Sequence, residues 1–298
     1  KKLPIPVTTG DFIANSLQPN EISQLRWLGN GEAPSEFAFR VGLPEILPKT
    51  LLDYCDRTGI TEAFRKLQID GEPLEPGSHR YDQFGGYEWY VQRPHSFWHS
   101  NMHWISPADE ETHQEYLRIL SAGGFDEILN SIGTYFDLDG LSVYHVTFIG
   151  VSHCETGYMH YDYKDTQGKA FNVIIPLILA NETGPELDIL PDRSDDDRNL
   201  IGQYKYQPNV ASMVGDLAYH ATAAVNYLEN KEMRMAATVY IADLNDANAQ
   251  SIVDDFTQAY PPRGDVDFLL SQAGAHWHPT DKSKRLPTPF SVDADTVE

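Results

Sequence analysis

Gly157-Tyr158-Met159-His160-Tyr161-Asp162 is the stretch on which the reading of this chain turns. His160 and Asp162 form an H-x-D pair. In extended backbone, residues i and i+2 point to the same face, so one imidazole and one carboxylate can aim at one point in space. A strand over Gly157–Tyr163 is therefore the first expectation. His220, about sixty residues on, is the candidate for a second imidazole. Two histidines and one carboxylate with open positions form the facial triad that suits non-haem Fe(II).

Chance supplies such pairs easily in a chain with 11 histidines and 44 acids, so each competitor has to be weighed. His113-Gln114-Glu115 falls on a predicted helix, where positions i and i+2 diverge. His153-Cys154-Glu155 falls in a predicted loop that fixes neither side chain. His160 and Asp162 alone precede a buried strand. That strand, Ala170–Ala180, contains Phe171-Asn172-Val173-Ile174-Ile175-Pro176-Leu177-Ile178-Leu179 and is apolar on both faces.

Working outward, the texture from Leu141 onward is that of strands. They are expected at Val143–Val151, Glu186–Leu190, Ile201–Gln207, Ala211–Leu217 and Met233–Ala242, besides the two above. Gly150, Gly168, Gly184-Pro185, Pro208-Asn209 and Gly215-Asp216 supply turns between them. Seven or eight strands with few helices between them indicate a mainly β fold with flanking helices, built on a barrel or jelly roll. His220 lies just past Asp216-Leu217-Ala218-Tyr219. Fourteen residues later Arg234 opens the last apolar strand. A buried arginine needs an anionic partner. That partner is either one of the chain's own acids or a bound carboxylate held in the bidentate manner that guanidinium favours.

The order H-x-D, distant His, then Arg on the next strand resembles the Fe(II)/2-oxoglutarate-dependent dioxygenases. The run Gly157–Asp162, with Phe171–Ala180 and Gly184-Pro185-Glu186-Leu187, is similar to their prolyl-hydroxylase-like and phytanoyl-hydroxylase-like branches. The resemblance spans about residues 143–243. Arg234 stands where prolyl hydroxylases usually carry Lys, which speaks against a peptidyl-proline substrate. The resemblance implies a double-stranded β-helix (cupin-like) core. It implies Fe(II) on His160, Asp162 and His220, with 2-oxoglutarate and O2 as co-substrates and the far carboxylate of 2-oxoglutarate on Arg234. Thr238, on the same strand face, or Tyr144 and Thr147 would add a hydroxyl to that carboxylate. The whole sequence also resembles the algal kainoid synthases of this superfamily. That implies a small amino-acid-derived carboxylate as substrate and radical cyclisation of an N-prenylated glutamate, with hydroxylation of another small molecule or peptide as the alternative. A cupin-like metal-binding protein that does not use 2-oxoglutarate shares the barrel and histidines, and Arg234 separates the two.

The first 140 residues read differently. Val7 to Ile13 suggests an entry strand, Asn20 to Gly29 a short helix, and residues 30–43 a hairpin or loop. Helical spacing runs from Pro44 to Leu67 with Gly59 as a break, and again over 107–121, with Ser106 as N-cap, and over Phe125–Tyr135. Between these lies an aromatic block, residues 81–104, with Tyr81, Trp89, Tyr90, Trp98 and Trp104 among Arg80, Arg93, His95, His99 and His103. It reads as either a core layer or a substrate-pocket wall, with Arg93, Trp89, Arg80 and Tyr158 as candidate substrate contacts. The i, i+4, i+8 spacing of its three histidines imitates a zinc site, but Pro94 argues against one continuous helix. The expected organisation is one domain. A helix-rich layer with the substrate-pocket elements spans 1–140, the β core 141–245, and C-terminal helices with a tail 246–298.

Composition excludes several classes. The formal charge of −22 over 298 residues, with no basic cluster, argues against nucleic acid and against an anionic membrane surface. Cys55 and Cys154 make neither a disulfide framework nor a thiolate zinc site. No apolar run approaches the roughly 20 residues of a membrane span, and no secretory signal is evident. A soluble, intracellular, cytoplasmic protein acting on a small molecule is the expectation, with Lys1-Lys2 leaving room for a removed leader.

Overall fold

The computed structural model describes residues 38–70, 79–84, 86–92, 100–107, 110–136, 141–155, 157, 159–162, 170–181, 186–189, 202–216 and 218–243. The expected entry strand, the helix over 20–29, the C-terminal helices and the tail lie outside them.

Four helices are described. Helix α1 (Ile46–Thr58) buries Leu47, Leu51, Tyr54 and Cys55, a single stripe at spacings of four, three and one. It stops at Gly59, whose φ of 82° is left-handed and whose N–H reaches back to the Asp56 carbonyl. Helix α2 (Ile60–Arg65) follows, and a π-helical turn, Lys66–Asp70, continues it. Helices α3 (Glu110–Ala122) and α4 (Phe125–Phe136) come next. The expected cap at Ser106 is corrected. Ser106 and Pro107 end a strand instead, and the Ser106 hydroxyl donates to Thr147 at 2.9 Å. The strand wins because residues up to Pro107 pair with a neighbouring strand.

Twelve strands are described: β1 (Ala38–Gly42), β2 (His79–Phe84), β3 (Tyr87–Gln92), β4 (Ser100–Pro107), β5 (Leu141–Cys154), β6 (Ala170–Ile178), β7 (Leu187–Ile189), β8 (Gly202–Tyr204), β9 (Val210–Gly215), β10 (His220–Thr222), β11 (Val225–Asn226) and β12 (Arg234–Asp243). Nine form one sheet in the order β1-β9-β6-β12-β5-β4-β3-β2, with β11 also on β5. The other three form a small sheet, β10-β7-β8. Every pairing is antiparallel.

The aromatic block is thus largely a strand meander that extends the large sheet through β4 onto β5. The N-terminal layer is not merely helical, since β1 to β4 all belong to the large sheet. The helices pack on β4, β5 and β6, and Leu47, Leu51 and Phe125 share one buried cluster with Met235, Ala237, Val239 and Ile241 of β12. The alternate residues of β12 face the other way, toward the small sheet. Between the two sheets lies a pocket lined by residues of both.

The expected strand over Gly157–Tyr163 is a second correction. Among the described residues of that segment, only His160 is β-paired, through a single bridge to His220. Asp162 sits in a bend. One residue of antiparallel pairing is enough to set the imidazole, and the chain then turns away to bring the carboxylate back.

Candidate metal centre

The centre is built from two short segments. The His160 N–H donates to the His220 carbonyl at 2.9 Å, and the His220 N–H returns to the His160 carbonyl at 3.0 Å. Residues directly opposite each other in an antiparallel pair share a face. The two imidazoles therefore lie together, with ring centroids 4.5 Å apart. The flanking residues take the other face, where Tyr161 and Tyr219 pack at 5.0 Å. Gly157 lets the segment approach β10, since a Cβ there would fall 1.9 Å from the Thr222 carbonyl oxygen.

Asp162 Oδ1 lies 3.5 Å from His160 Nε2 and 3.7 Å from His220 Nε2. The three candidate ligand atoms fall within 4.8 Å of one another. Two bonds of about 2.1 Å at right angles would put ligand atoms about 3 Å apart, so a small inward movement closes the set on an ion. The Nδ1–H of His220 faces the Ala218 carbonyl at 2.8 Å. This hydrogen bond fixes the tautomer that leaves Nε2 as a lone pair. Burial holds the His220 imidazole below its ordinary pKa, helped by His160 and opposed by the Asp162 carboxylate and the Ala218 carbonyl. A neutral imidazole is the form that binds metal. Burial alone would raise the Asp162 carboxyl, but His220, His160 and the Asn172 amide outweigh it and keep it below the usual range. Among the described residues Asp162 Oδ2 is buried without a hydrogen-bond partner, an orphan that a cation would satisfy. Donor set, tautomer and orphaned oxygen all fit a divalent ion.

Arg234 lines the same pocket. It is 4% exposed, donates through Nη1 to the Glu186 carbonyl at 3.3 Å and lies 5.2 Å over the Tyr206 ring. Among the described residues it has no carboxylate ion-pair partner. Ala236, Thr238 and Tyr240 follow it into the pocket by strand alternation. Thr238 also donates to the Thr147 carbonyl at 3.3 Å. Tyr144 and Thr147 stand elsewhere. The Thr147 hydroxyl accepts from Ser106 and donates to the Ile105 carbonyl, and the Tyr144 ring packs behind Tyr240 at 6.1 Å. Among the described residues, the hydroxyl-bearing ones that line the pocket are Thr222, Thr238, Tyr206 and Tyr240.

Of the candidate substrate contacts, Arg80 and Trp89 fall on β2 and β3 with their side chains undescribed, while Arg93 and Tyr158 lie outside the described residues, as do His95 and His99. His103 is a brace rather than a ligand. Its Nδ1 meets the Gln68 side chain at 2.6 Å, and Gln68 also donates to Gly150 and accepts from Ser152. Asn172, Tyr206 and Tyr240 line the pocket without having been singled out. Asn172 was legible as the polar exception in an apolar strand, and Tyr240 as the third alternate residue after Arg234. Tyr206 carries no signal, because only the packing of the small sheet brings it to Arg234.

No protein-family model and no curated protein matches this chain. Solved structures do. The chain is similar to the non-heme alpha ketoglutarate dependent carbocyclase SnoK from nogalamycin biosynthesis, with 14% identity over 79% of this chain and 87% of that one and a TM-score of 0.43. It is similar to AviO1 from Streptomyces viridochromogenes Tue57, with 10% identity over 77% and 97% and a TM-score of 0.44. It is also similar to a Pseudomonas putida prolyl-4-hydroxylase, with 14% identity over 69% and 92% and a TM-score of 0.38.

Proposed function

We propose that this protein is an Fe(II)- and 2-oxoglutarate-dependent oxygenase that oxidises an unactivated C–H bond of a small molecule. One observation carries the reading. A two-histidine, one-carboxylate cluster and a buried arginine that has no ion-pair partner among the described residues line a single pocket. The cluster suits a metal with open positions, and the arginine suits a carboxylate arriving with a ligand.

In this reading the two sheets are the two faces of a double-stranded β-helix. His160, Asp162 and His220 hold Fe(II). Arg234 takes the distal carboxylate of 2-oxoglutarate, with Thr238 and Tyr206 beside it. When bound, the metal supplies, with 2-oxoglutarate and O2, the oxidant that removes a hydrogen atom from the substrate. The chain's own contribution is placement and dryness. Asp162 stays ionised as a ligand, the Ala218 carbonyl holds the His220 ring, and Met102, Trp104, Ile149, Val151 and Ile174 provide an apolar wall. The substrate is an amino-acid-derived carboxylate, and a kainoid-type radical cyclisation is the specific outcome we infer. Arg80, Arg93, Trp89 and Tyr158 would make its contacts. The support is the block's position, since β4 of that meander gives Met102 and Trp104 to the pocket.

The test is anaerobic reconstitution with Fe(II) and 2-oxoglutarate, then exposure to O2 and amino-acid-derived candidates. Succinate should form only when metal and co-substrate are both present, and product masses should identify the substrate. A protein that binds neither metal nor 2-oxoglutarate would overturn the proposal. A protein that binds metal and ignores 2-oxoglutarate would be the cupin-like alternative.

A further inference from the structure

We propose that Glu186 is a positioning residue for Arg234, acting through Tyr206, and that its side chain sets the affinity for the co-substrate carboxylate. The inference rests on the oxygenase reading above. Glu186 immediately precedes β7 and is almost fully buried. Four hydrogen bonds converge on it. Its N–H donates to the Tyr204 carbonyl at 2.7 Å, and its carbonyl accepts from the Ala223 N–H at 3.0 Å. The same carbonyl accepts from Arg234 Nη1 at 3.3 Å. Its carboxyl Oε2 accepts the Tyr206 N–H at 2.6 Å.

These bonds tie the strands of the small sheet to one another and, through Arg234, to the large sheet. Tyr204 ends β8, Ala223 follows β10, and Arg234 opens β12 on the other sheet. The backbone half of the arrangement is independent of side-chain identity. The carboxyl half is not: it fixes the chain at Tyr206, whose ring then lies under the guanidinium. A cation over an aromatic face is held in plane without losing its charge. Arg234 is thereby kept pointing into the pocket and available to an incoming anion.

The chemistry of the carboxyl matters too. A charged Glu186 would compete with a ligand for Arg234. Burial raises the Glu186 carboxyl above its ordinary pKa, more than the Tyr206 N–H, Arg234 and Lys205 lower it. Among the described residues its Oε1 is buried with no hydrogen-bond partner. Glu186 supplies an acceptor for Tyr206 through its carboxyl, while its hydrogen bond to Arg234 is made by its backbone carbonyl.

Three variants test this. Glu186→Gln keeps an acceptor at the same reach and should behave like the parent. Glu186→Ala removes the acceptor, and Glu186→Asp shortens it beyond reach. Both should raise the KM for 2-oxoglutarate about tenfold or more, as loss of an outer hydrogen-bond partner does at other sites. Neither should change kcat at saturating co-substrate, nor the affinity for Co(II) titrated alone. Modification of Arg234 by phenylglyoxal, followed by mass, should be slow in the parent and the Gln variant and faster in the other two. This readout needs no turnover, so it tests Glu186 even if the parent forms no succinate, an outcome that would sink only the oxygenase reading. If Glu186→Ala fails to fold, the Asp and Gln pair decides. Parental KM and parental Arg234 reactivity in Glu186→Asp would overturn the proposal, as would loss of Co(II) affinity in step with KM.

Discussion

The two ends of the pocket are made in opposite ways. Arg234 and Thr238 stand on β12, which is hydrogen-bonded to β5 on one side and β6 on the other. His160 and Asp162 stand on a segment tied to β10 by two hydrogen bonds, and β10 itself has three residues. One end is part of the core, and the other is assembled on its rim. A ligand arm that must be held at fixed distance gains from a rigid strand. A metal can draw its own ligands together, and its binding energy then becomes stability of the segment that carries them. The lesson is that the arginine end should be nearly complete without ligands, whereas the metal end should tighten on binding.

The strongest way to break this contrast is to remove a ligand at the rim. Asp162→Ala should abolish both metal binding and co-substrate turnover while leaving a folded protein, checked by metal analysis and circular dichroism. A variant that retains metal would disprove the assigned ligand set. At the other end, Arg234→Ala should weaken 2-oxoglutarate binding about 100-fold, the value of two charge-assisted hydrogen bonds. Metal affinity should hold, and Arg234→Lys should fall between, because a point charge replaces a planar fork. Isothermal titration separates the two affinities.

A subtler intervention acts on the rim's backbone. Gly157→Ala should cost about 1–3 kcal/mol by overpacking against Thr222, and saturating Co(II) should recover part of the lost Tm. Equal losses with and without metal would show that the segment is not coupled to the ion. Smaller still is the aromatic pair behind the histidines. A double-mutant cycle of Tyr161→Leu and Tyr219→Leu should give a coupling of about 0.5–1.5 kcal/mol in Co(II) binding.

The smallest effect is a pH slope from the strand-held end. The folded-state pKa of Glu186 is raised above its ordinary value, so the folded protein retains a proton that the unfolded chain has lost. Its contribution is pH-independent below the unfolded pKa and declines as pH rises through the window up to the folded pKa. Glu186→Gln should flatten that part of a Tm-against-pH curve measured from about pH 4 to about pH 7. A slope identical to the parent's would assign it to other groups.

How much of this was legible beforehand differs between the same two ends. β12 was readable almost to the residue, because alternation over Arg234–Asp243 is long and its apolar face is continuous. Asp162 was found by spacing, but for a reason the structure corrects: it reaches the metal site from a bend, not from a strand. β2 to β4 were hidden because their aromatics fall at irregular spacings, such as Tyr81 and Phe84 or Trp89 and Tyr90, and mark no single face. Tyr144 and Thr147 lie on a core strand, and sequence cannot say that the Thr147 hydroxyl is engaged by Ser106 and the Ile105 carbonyl or that the Tyr144 ring packs behind Tyr240.

The sequence by itself determined the inventory: one H-x-D before a buried strand, a later His, and a later Arg at the head of an apolar strand. These depend on local periodicity and order along the chain, which covalent connectivity preserves. Only the tertiary structure decided that His160 and His220 are direct antiparallel neighbours, that Tyr206 lies under Arg234, and that Glu186 joins the small sheet to β12. Such contacts link residues tens of positions apart through hydrogen bonds and ring faces. No pattern along the chain records them, because they exist only once two sheets have packed across one pocket.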